Sequence, residues 1–334
     1  MSPLARVGAP APRHSLAALA LALAAVGCAP DSSPPPSQTP ETPMSGPAIQ
    51  AVNASYYYRD VDAAWDFYTR VLGLETVADY GFAKILRVAA SSYLTLVDQA
   101  HGMHTADEPK SVTLALVTED VEAWWAYLSE RGVPMRSELG AVDTTRAHNG
   151  FVAMDPEGYL LEFERFNPHA ENTELLPRLA GAEPLGPAQG VATERPADLR
   201  IQATVLWLYY HDIEAALAWY ERTLGTRLLV DQGWAKVVPV SGTGHLGFVD
   251  GSRGLHQATE EKAVTVAFFT DDVDGWFAAL RNRPDFPLRT PEITDESERV
   301  RTFVGYDPEG YFLEWDTFLP VEENGRLLAH LAGR

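Results

Sequence analysis

The stretch "DPEGYLLEFE" at 155–164 returns as "DPEGYFLEWD" at 307–316, 152 residues later. Asp at the first position, Pro at the second and Gly at the fourth suit a type I turn. The alternating apolar run that follows suits a strand leaving that turn. The open question is the glutamate inside each apolar run, Glu162 and Glu314. Three roles fit it: a metal ligand, a carboxylate that binds a ligand, or a charge paired with a nearby lysine, for which Lys84 and Lys236 are the candidates.

The same offset holds along the chain. Asp60, Tyr68, Gly73 and Lys84 become Asp212, Tyr220, Gly225 and Lys236, and Gly102, His104 and Asp120 become Gly254, His256 and Asp272. The chain is therefore a tandem duplication, with copies at 49–181 and 201–334 joined by a linker at 182–200 that is rich in Pro, Gly and Ala. Each copy is itself double. "AIQAVNASYYYRDVDAAWDFYTRVLGLETV" reads as a strand, an aspartate turn, an amphipathic helix and a glycine stop, and "KSVTLALVTEDVEAWWAYLSERGVPM" follows the same plan. Further strands follow each helix, so the unit is βαβββ, present four times. The fold class is α+β, with two tandem cup-shaped domains expected, one per copy. The tails "ENTELLPRLAG" and "ENGRLLAHLAG" read as short helices that start on an Asn cap and pack on their own domain.

On these residues, "YRDVDAAWDFYTRVLGLE" with "DPEGYLLEFE" and "YHDIEAALAWYERTLGTR" with "DPEGYFLEWD", the chain resembles the vicinal oxygen chelate superfamily of glyoxalases, bleomycin-resistance proteins and ring-cleaving dioxygenases. The resemblance implies paired βαβββ modules curled around a small-molecule or metal site. It also implies metal-ligand positions, among them Glu162 and Glu314. The other positions read Asn53, Thr113, Val205 and Thr265 on first strands, and fall near Thr95 and Gly247 on last strands. One carboxylate among neutral side chains cannot hold Zn²⁺ or Fe²⁺, which take three or more N, O or S donors. No metal and no cofactor is expected.

Strand alternation sets the cup lining. In copy 1 it turns Asn53, Ser55, Tyr57, Thr113, Glu162 and Glu164 inward as a polar, acidic ligand site. In copy 2, Glu314 shares its cup with aromatic side chains such as Trp207, which suggests a more filled cup. His104 and His256, in a repeated Gly-x-His-x₃-Glu-x-Lys pattern, are either loop braces or general bases at the cup mouth. The tryptophans at 65, 124, 125, 219 and 276 follow helical spacing and read as core.

A net charge of −20 on 334 residues argues against nucleic acid, which requires basic surface. The N-terminus places Arg6, Arg13 and His14 before an apolar run that closes on Gly27-Cys28. Residues 1–27 thus read as an export signal, and Cys28, the only cysteine, resembles the acylation site of a bacterial lipoprotein. Residues 28–48 are a proline-rich tether. The sequence therefore points to an exported, lipid-anchored, metal-free binder of a small molecule in the bacterial cell envelope, with no nucleic-acid partner and membrane contact only through its anchor. The alternatives are a metal-dependent lyase, isomerase or dioxygenase with atypical ligands, and an interaction scaffold with filled cups.

Overall fold

A computed structural model describes residues 46–190 and 192–333. The export signal at 1–27, Cys28 and most of the tether lie outside the described residues.

The four modules follow one plan. The first contains β1 (Ala51–Tyr58), helix α1 (Val61–Asp66) continued by a π-helical turn (Phe67–Val71), then β2 (Glu75–Asp79), β3 (Ala83–Ala89) and β4 (Ser92–Asp98). The second contains β5 (Val112–Val117), α2 (Val121–Glu130), β6 (Met135–Ser137), β7 (His148–Met154) and β8 (Leu160–Phe166), followed by a short helix α3 (Leu175–Ala180). The third has β9 (Ala203–Tyr210), α4 (Ile213–Leu224), β10 (Val230–Asp231), β11 (Ala235–Pro239) and β12 (Gly244–Asp250). The fourth has β13 (Val264–Phe269), α5 (Val273–Leu280), β14 (Thr294–Glu296), β15 (Val300–Tyr306) and β16 (Phe312–Phe318), then α6 (Gly325–Ala332).

Local chemistry explains the helix ends. The side chains of Asp60, Asp212 and Asp272 each accept the backbone N–H three residues on, at 2.9, 3.0 and 2.8 Å, which satisfies a donor that the first helical turn leaves free. Gly73 and Gly225 close the helices in the left-handed region, both at φ +64°, where a side chain would be strained.

The DPEG turn is a staple. Asp155 Oδ1 accepts the N–H groups of Glu157 and Tyr159, while Oδ2 accepts the hydroxyls of Tyr58 at 2.7 Å and Tyr68 at 3.1 Å. Glu157 accepts the backbone N–H groups of Arg59 and Asp60 at the start of α1. The motif thus ties the second module to the first, and Asp307 and Glu309 repeat the arrangement between the fourth and third.

The strands form two eight-stranded sheets, ordered β14-β15-β16-β13-β1-β4-β3-β2 and β10-β11-β12-β9-β5-β8-β7-β6. This corrects the expectation that residues 49–181 and 201–334 each close one cup. The first sheet joins the first module to the fourth along an antiparallel seam from Ala51↔Phe269 to Tyr56↔Val264. The second joins the second module to the third from Val112↔Leu208 to Val117↔Ala203. Each cup takes one module from each copy. The reason sequence could not choose is symmetry: β5 and β13 carry the same alternation and the same facing threonine, so either satisfies the edge of β1.

Apolar side chains on the helix-facing sides of both sheets form one cluster that includes Val52, Tyr56, Trp124, Leu206, Val266 and Trp315. Trp124, Trp219 and Trp276 are buried in it and Trp65 and Trp125 pack on its margin, as their spacing implies. The tail helices cross over as the modules do. Leu175 and Leu179 of α3 join Ala203, Val205 and Trp207, and Leu327 and Leu331 of α6 join Ala51, Val77 and Tyr93. The asparagines expected to cap them are braces instead: Asn172 Nδ2 donates to the carbonyls of Ala147 and Asn167, and Asn324 Nδ2 to those of Arg299 and Leu319.

Candidate functional site: two acidic cups

Cup A lies on the first sheet and encloses about 140 Å³; cup B, on the second, encloses about 260 Å³. The duplication makes them counterparts, position by position.

The floor of each is a pair of carboxyl side chains two residues apart on the last strand of a module, so both point to the same face. In cup A the pair is Glu314 and Asp316; in cup B it is Glu162 and Glu164. Burial pushes Glu162 and Asp316 up to about 7, Glu296 adding to the effect at Asp316, and burial raises Glu164 and Glu314 well above the usual carboxylate range, with Glu162 and Asp316 respectively adding to it. Two like charges so close in an apolar surrounding cannot both ionise cheaply. Each pair therefore retains a proton near neutral pH. The lysines expected to neutralise them are elsewhere: Lys84 pairs with Asp79 at 3.0 Å and Lys236 with Asp231 at 2.8 Å.

The sequence-derived lining is recovered face by face but divided between the cups. Asn53, Ser55 and Tyr57 do face a cup, while Val52, Ala54 and Tyr56 pack on the helix side. Their acidic companions are Glu314 and Asp316 of the other copy, whereas Glu162 and Glu164 sit in cup B with Trp207 and Tyr209. The contrast between a polar copy 1 cup and an aromatic copy 2 cup is thus replaced by two mixed cups, both acidic. Thr113 sits at the floor of neither: its hydroxyl is bonded to Tyr209 OH at 2.8 Å, as Thr265 is to Tyr57 OH at 2.7 Å.

In cup A, Thr95 Oγ1 donates to Asn53 Oδ1 at 2.9 Å and Asn53 Nδ2 donates to Ser55 Oγ at 3.2 Å. A third carboxyl group, Glu296 from the β14–β15 hairpin, faces the same cavity. In cup B the counterparts of Asn53, Ser55 and Thr95 are Val205, Trp207 and Gly247, and His148, Gln232 and Trp234 stand where cup A has Val300, Tyr80 and Phe82. Alternation along β7 places His148 on the face of Val152 and could have revealed it; Gln232, Trp234 and Glu296 come from hairpin tips that no periodic pattern reaches.

His104 and His256 are not among the residues lining either cup. The His104 ring packs edge-on against Tyr57 at 5.0 Å and over Phe312 at 4.1 Å, with Nδ1 bonded to Glu108 Oε2 at 2.6 Å. Burial lowers its proton affinity, and it lowers that of His256 to about 4. Both rings pack against the tyrosines of the cups, His256 5.0 Å from Tyr209, and lie outside the residues that line the cavities.

The crosswise pairing sets which side-chain donors each cup offers a metal. Cup A brings together Asn53, Thr95, Thr265 and Glu314, and three of these are neutral groups already bonded to each other or to Tyr57. The corresponding positions on the second sheet are Thr113, Val205, Gly247 and Glu162, of which Val205 and Gly247 offer no side-chain donor and the Thr113 hydroxyl is bonded to Tyr209. Among the described residues, no three His, Cys, Asp or Glu side chains converge as a metal site would need. The donor set does not fit a metal of the kind the resemblance implies.

The chain matches the Glyoxalase/Bleomycin resistance protein/Dioxygenase superfamily over residues 50–163 and 200–315. Glyoxalase I from Zea mays is similar in structure, with a TM-score of 0.55 and 16% sequence identity over 85% of this chain and 95% of that one. A putative dioxygenase from Bacillus subtilis gives a TM-score of 0.57 at 12% identity, covering 85% of this chain and 90% of that one. At these identities the likeness is one of fold. Among proteins of curated function, none matches this chain.

Proposed function

The chain belongs to the Glyoxalase/Bleomycin resistance protein/Dioxygenase superfamily, and from that premise we propose that it is a small-molecule-binding protein whose metal-free cups hold ligands carrying a protonated nitrogen or a strong N–H donor. The observation that carries this reading is the pair of buried carboxyl groups on each cup floor, with no lysine or arginine ion-paired to either among the described residues. A desolvated carboxyl group lacking a cation is costly, and a ligand that brings one supplies a charge-assisted hydrogen bond. Fold alone does not support this role, since one fold carries many chemistries; the floor chemistry is what supports it.

Titration calorimetry with small organic amines tests it. Binding should tighten as pH rises from 6 to 8, because the proton held by the pair must leave before the ion pair forms. Heats measured in buffers of different ionisation enthalpy should show that release. Replacing both Glu162 and Glu314 by Gln should weaken binding by roughly 1–3 kcal/mol, the scale of a hydrogen bond to a charged group. Elemental analysis of the same preparation gives the opposing result: stoichiometric zinc, nickel, manganese or iron, with binding lost on chelation, would replace this reading with a metal-dependent enzyme.

Export and lipid anchoring through Cys28 complete the proposal, supported by the N-terminal sequence. Cys28→Ser should move the protein from the membrane fraction to the soluble one, and unchanged partitioning in detergent would remove the anchor.

A further inference from the structure

Because the two cups are copies of one ancestor within one chain, positions that agree report on the shared fold and positions that differ report on the occupant. Tyr57 and Tyr209, Ala83 and Ala235, Val97 and Val249, and Phe318 and Phe166 agree. The differences come in compensated pairs, which drift at single positions would not produce.

The first pair joins two neighbouring strands. Cup A has Ser55 beside Thr95 on β1 and β4; cup B has Trp207 beside Gly247 on β9 and β12. The indole lies flat on the strand where the missing side chain would be: a Cβ at 247 would come within 2.0 Å of the ring. Gly247 therefore exists to admit Trp207, and the two together turn a hydroxyl-lined wall into a planar aromatic one.

The second pair lies on the floor. Cup A has Asp316 opposite Thr302, whose hydroxyl donates to Glu314 at 3.3 Å; cup B has Glu164 opposite Gly150. Glu164 is one methylene longer and only 2% exposed, and its Oε1 has no hydrogen-bond partner. A buried acceptor without a donor costs about 1–3 kcal/mol, and this one lines the cavity.

The mouth differs as well. Trp234 stands where cup A has Phe82, backed by the Arg253 guanidinium 5.5 Å from its ring centre. Cup B is also lined by the basic side chains His148 and Arg253 besides its two acids, whereas cup A is lined by three carboxyl groups and, of basic side chains, only His101.

Resting on the reading of the cups as small-molecule sites, we infer that the two cups hold different ligands: cup B a planar ring system bearing an N–H donor, its ring against Trp207 and its donor on Glu164, and cup A a compact N–H donor without a ring. The larger cavity of cup B accommodates a ring, and aromatic stacking favours it beyond the area buried.

Benzamidine and acetamidine test this, since they share the amidinium group and differ by the ring. Titrated into the full chain, benzamidine should bind cup B with one-to-one stoichiometry and shift the indole N–H resonances of Trp207 and Trp234. Acetamidine should bind without moving them. The double variant Trp207→Ser/Gly247→Thr imports a pair that the fold already accommodates in cup A, so it should keep its melting temperature and lose benzamidine affinity by about tenfold or more. Two equivalent benzamidine sites, or undiminished benzamidine binding by the double variant, would overturn the inference. If both amidines bind equally with no indole shift, the inference falls and the proposed function stands. If neither binds at any pH, both fall.

Discussion

Glu162 shows how one residue acquires a role from its surroundings. On a solvated strand its carboxyl would ionise near 4.5; on the cup floor, burial lifts it to about 7, and Asp316 reaches the same value in the other cup. The consequence for stability has a definite sign. Between about 4.5 and 7 the folded chain binds protons that the unfolded chain has already released, so stability falls as pH rises through that window. The surface acids held low by arginines, such as Asp66, Glu122 and Asp274, act in the opposite sense but only below their ordinary range. Thermal melts should therefore show a lower melting temperature at pH 8 than at pH 5.5. Glu162→Gln should raise the value at pH 8 and leave it nearly unchanged at pH 5.5, because the glutamine imitates the protonated acid. A loss of stability at both pH values would mean that the carboxylate is held by a cation after all.

At the scale of elements, the strand pair β9–β12 carries the largest departure from its counterpart β1–β4. Indole and glycine are packed as a unit, so each residue is tolerated only because of the other. Gly247→Thr alone should cost about 1–3 kcal/mol through overpacking against the ring. Adding Trp207→Ser should return most of it, giving a coupling energy that denaturant unfolding can resolve. Simple addition of the two effects would show that the indole moves aside freely. The DPEG turns behave differently, because both copies use Asp155 and Asp307 in the same four-donor arrangement. That is why the turn could be read from sequence: its bonds are mostly local, or reach a tyrosine at a fixed offset in the same copy.

For the whole molecule, crosswise assembly changes what the linker joins. Tyr159 OH, from copy 1, donates to the Ala263 carbonyl of copy 2 at 2.7 Å, and Tyr311 OH donates to the Ser111 carbonyl of copy 1 at 2.7 Å. These bonds and the β1–β13 and β5–β9 seams all cross between copies. Residues 46–181 alone would expose both seam strands, β1 and β5, as unpaired edges that seek a partner. The isolated half should therefore self-associate or lose cooperative unfolding, and mixing it with residues 201–334 should restore one cooperative transition at one-to-one stoichiometry. A monomeric half with a full, sharp transition in sedimentation and denaturation experiments would be incompatible with the observed sheets.

Sequence alone was enough for the duplication, the four βαβββ modules, the aspartate turns that precede the helices, the DPEG turns and the direction in which Asn53, Ser55, Tyr57, Glu162 and Glu314 point. All of these depend on short-range physics: turn chemistry acts over four residues, capping over three, and strand alternation has a period of two. Only the tertiary structure decided which module completes which cup, and hence that Glu162 stands beside Trp207 and not beside Asn53. Alternation reports the face of a strand and is silent about its neighbour, because backbone hydrogen bonds form equally well with any strand of suitable register. Two copies with the same pattern leave that choice open until the side chains of the whole molecule are packed together.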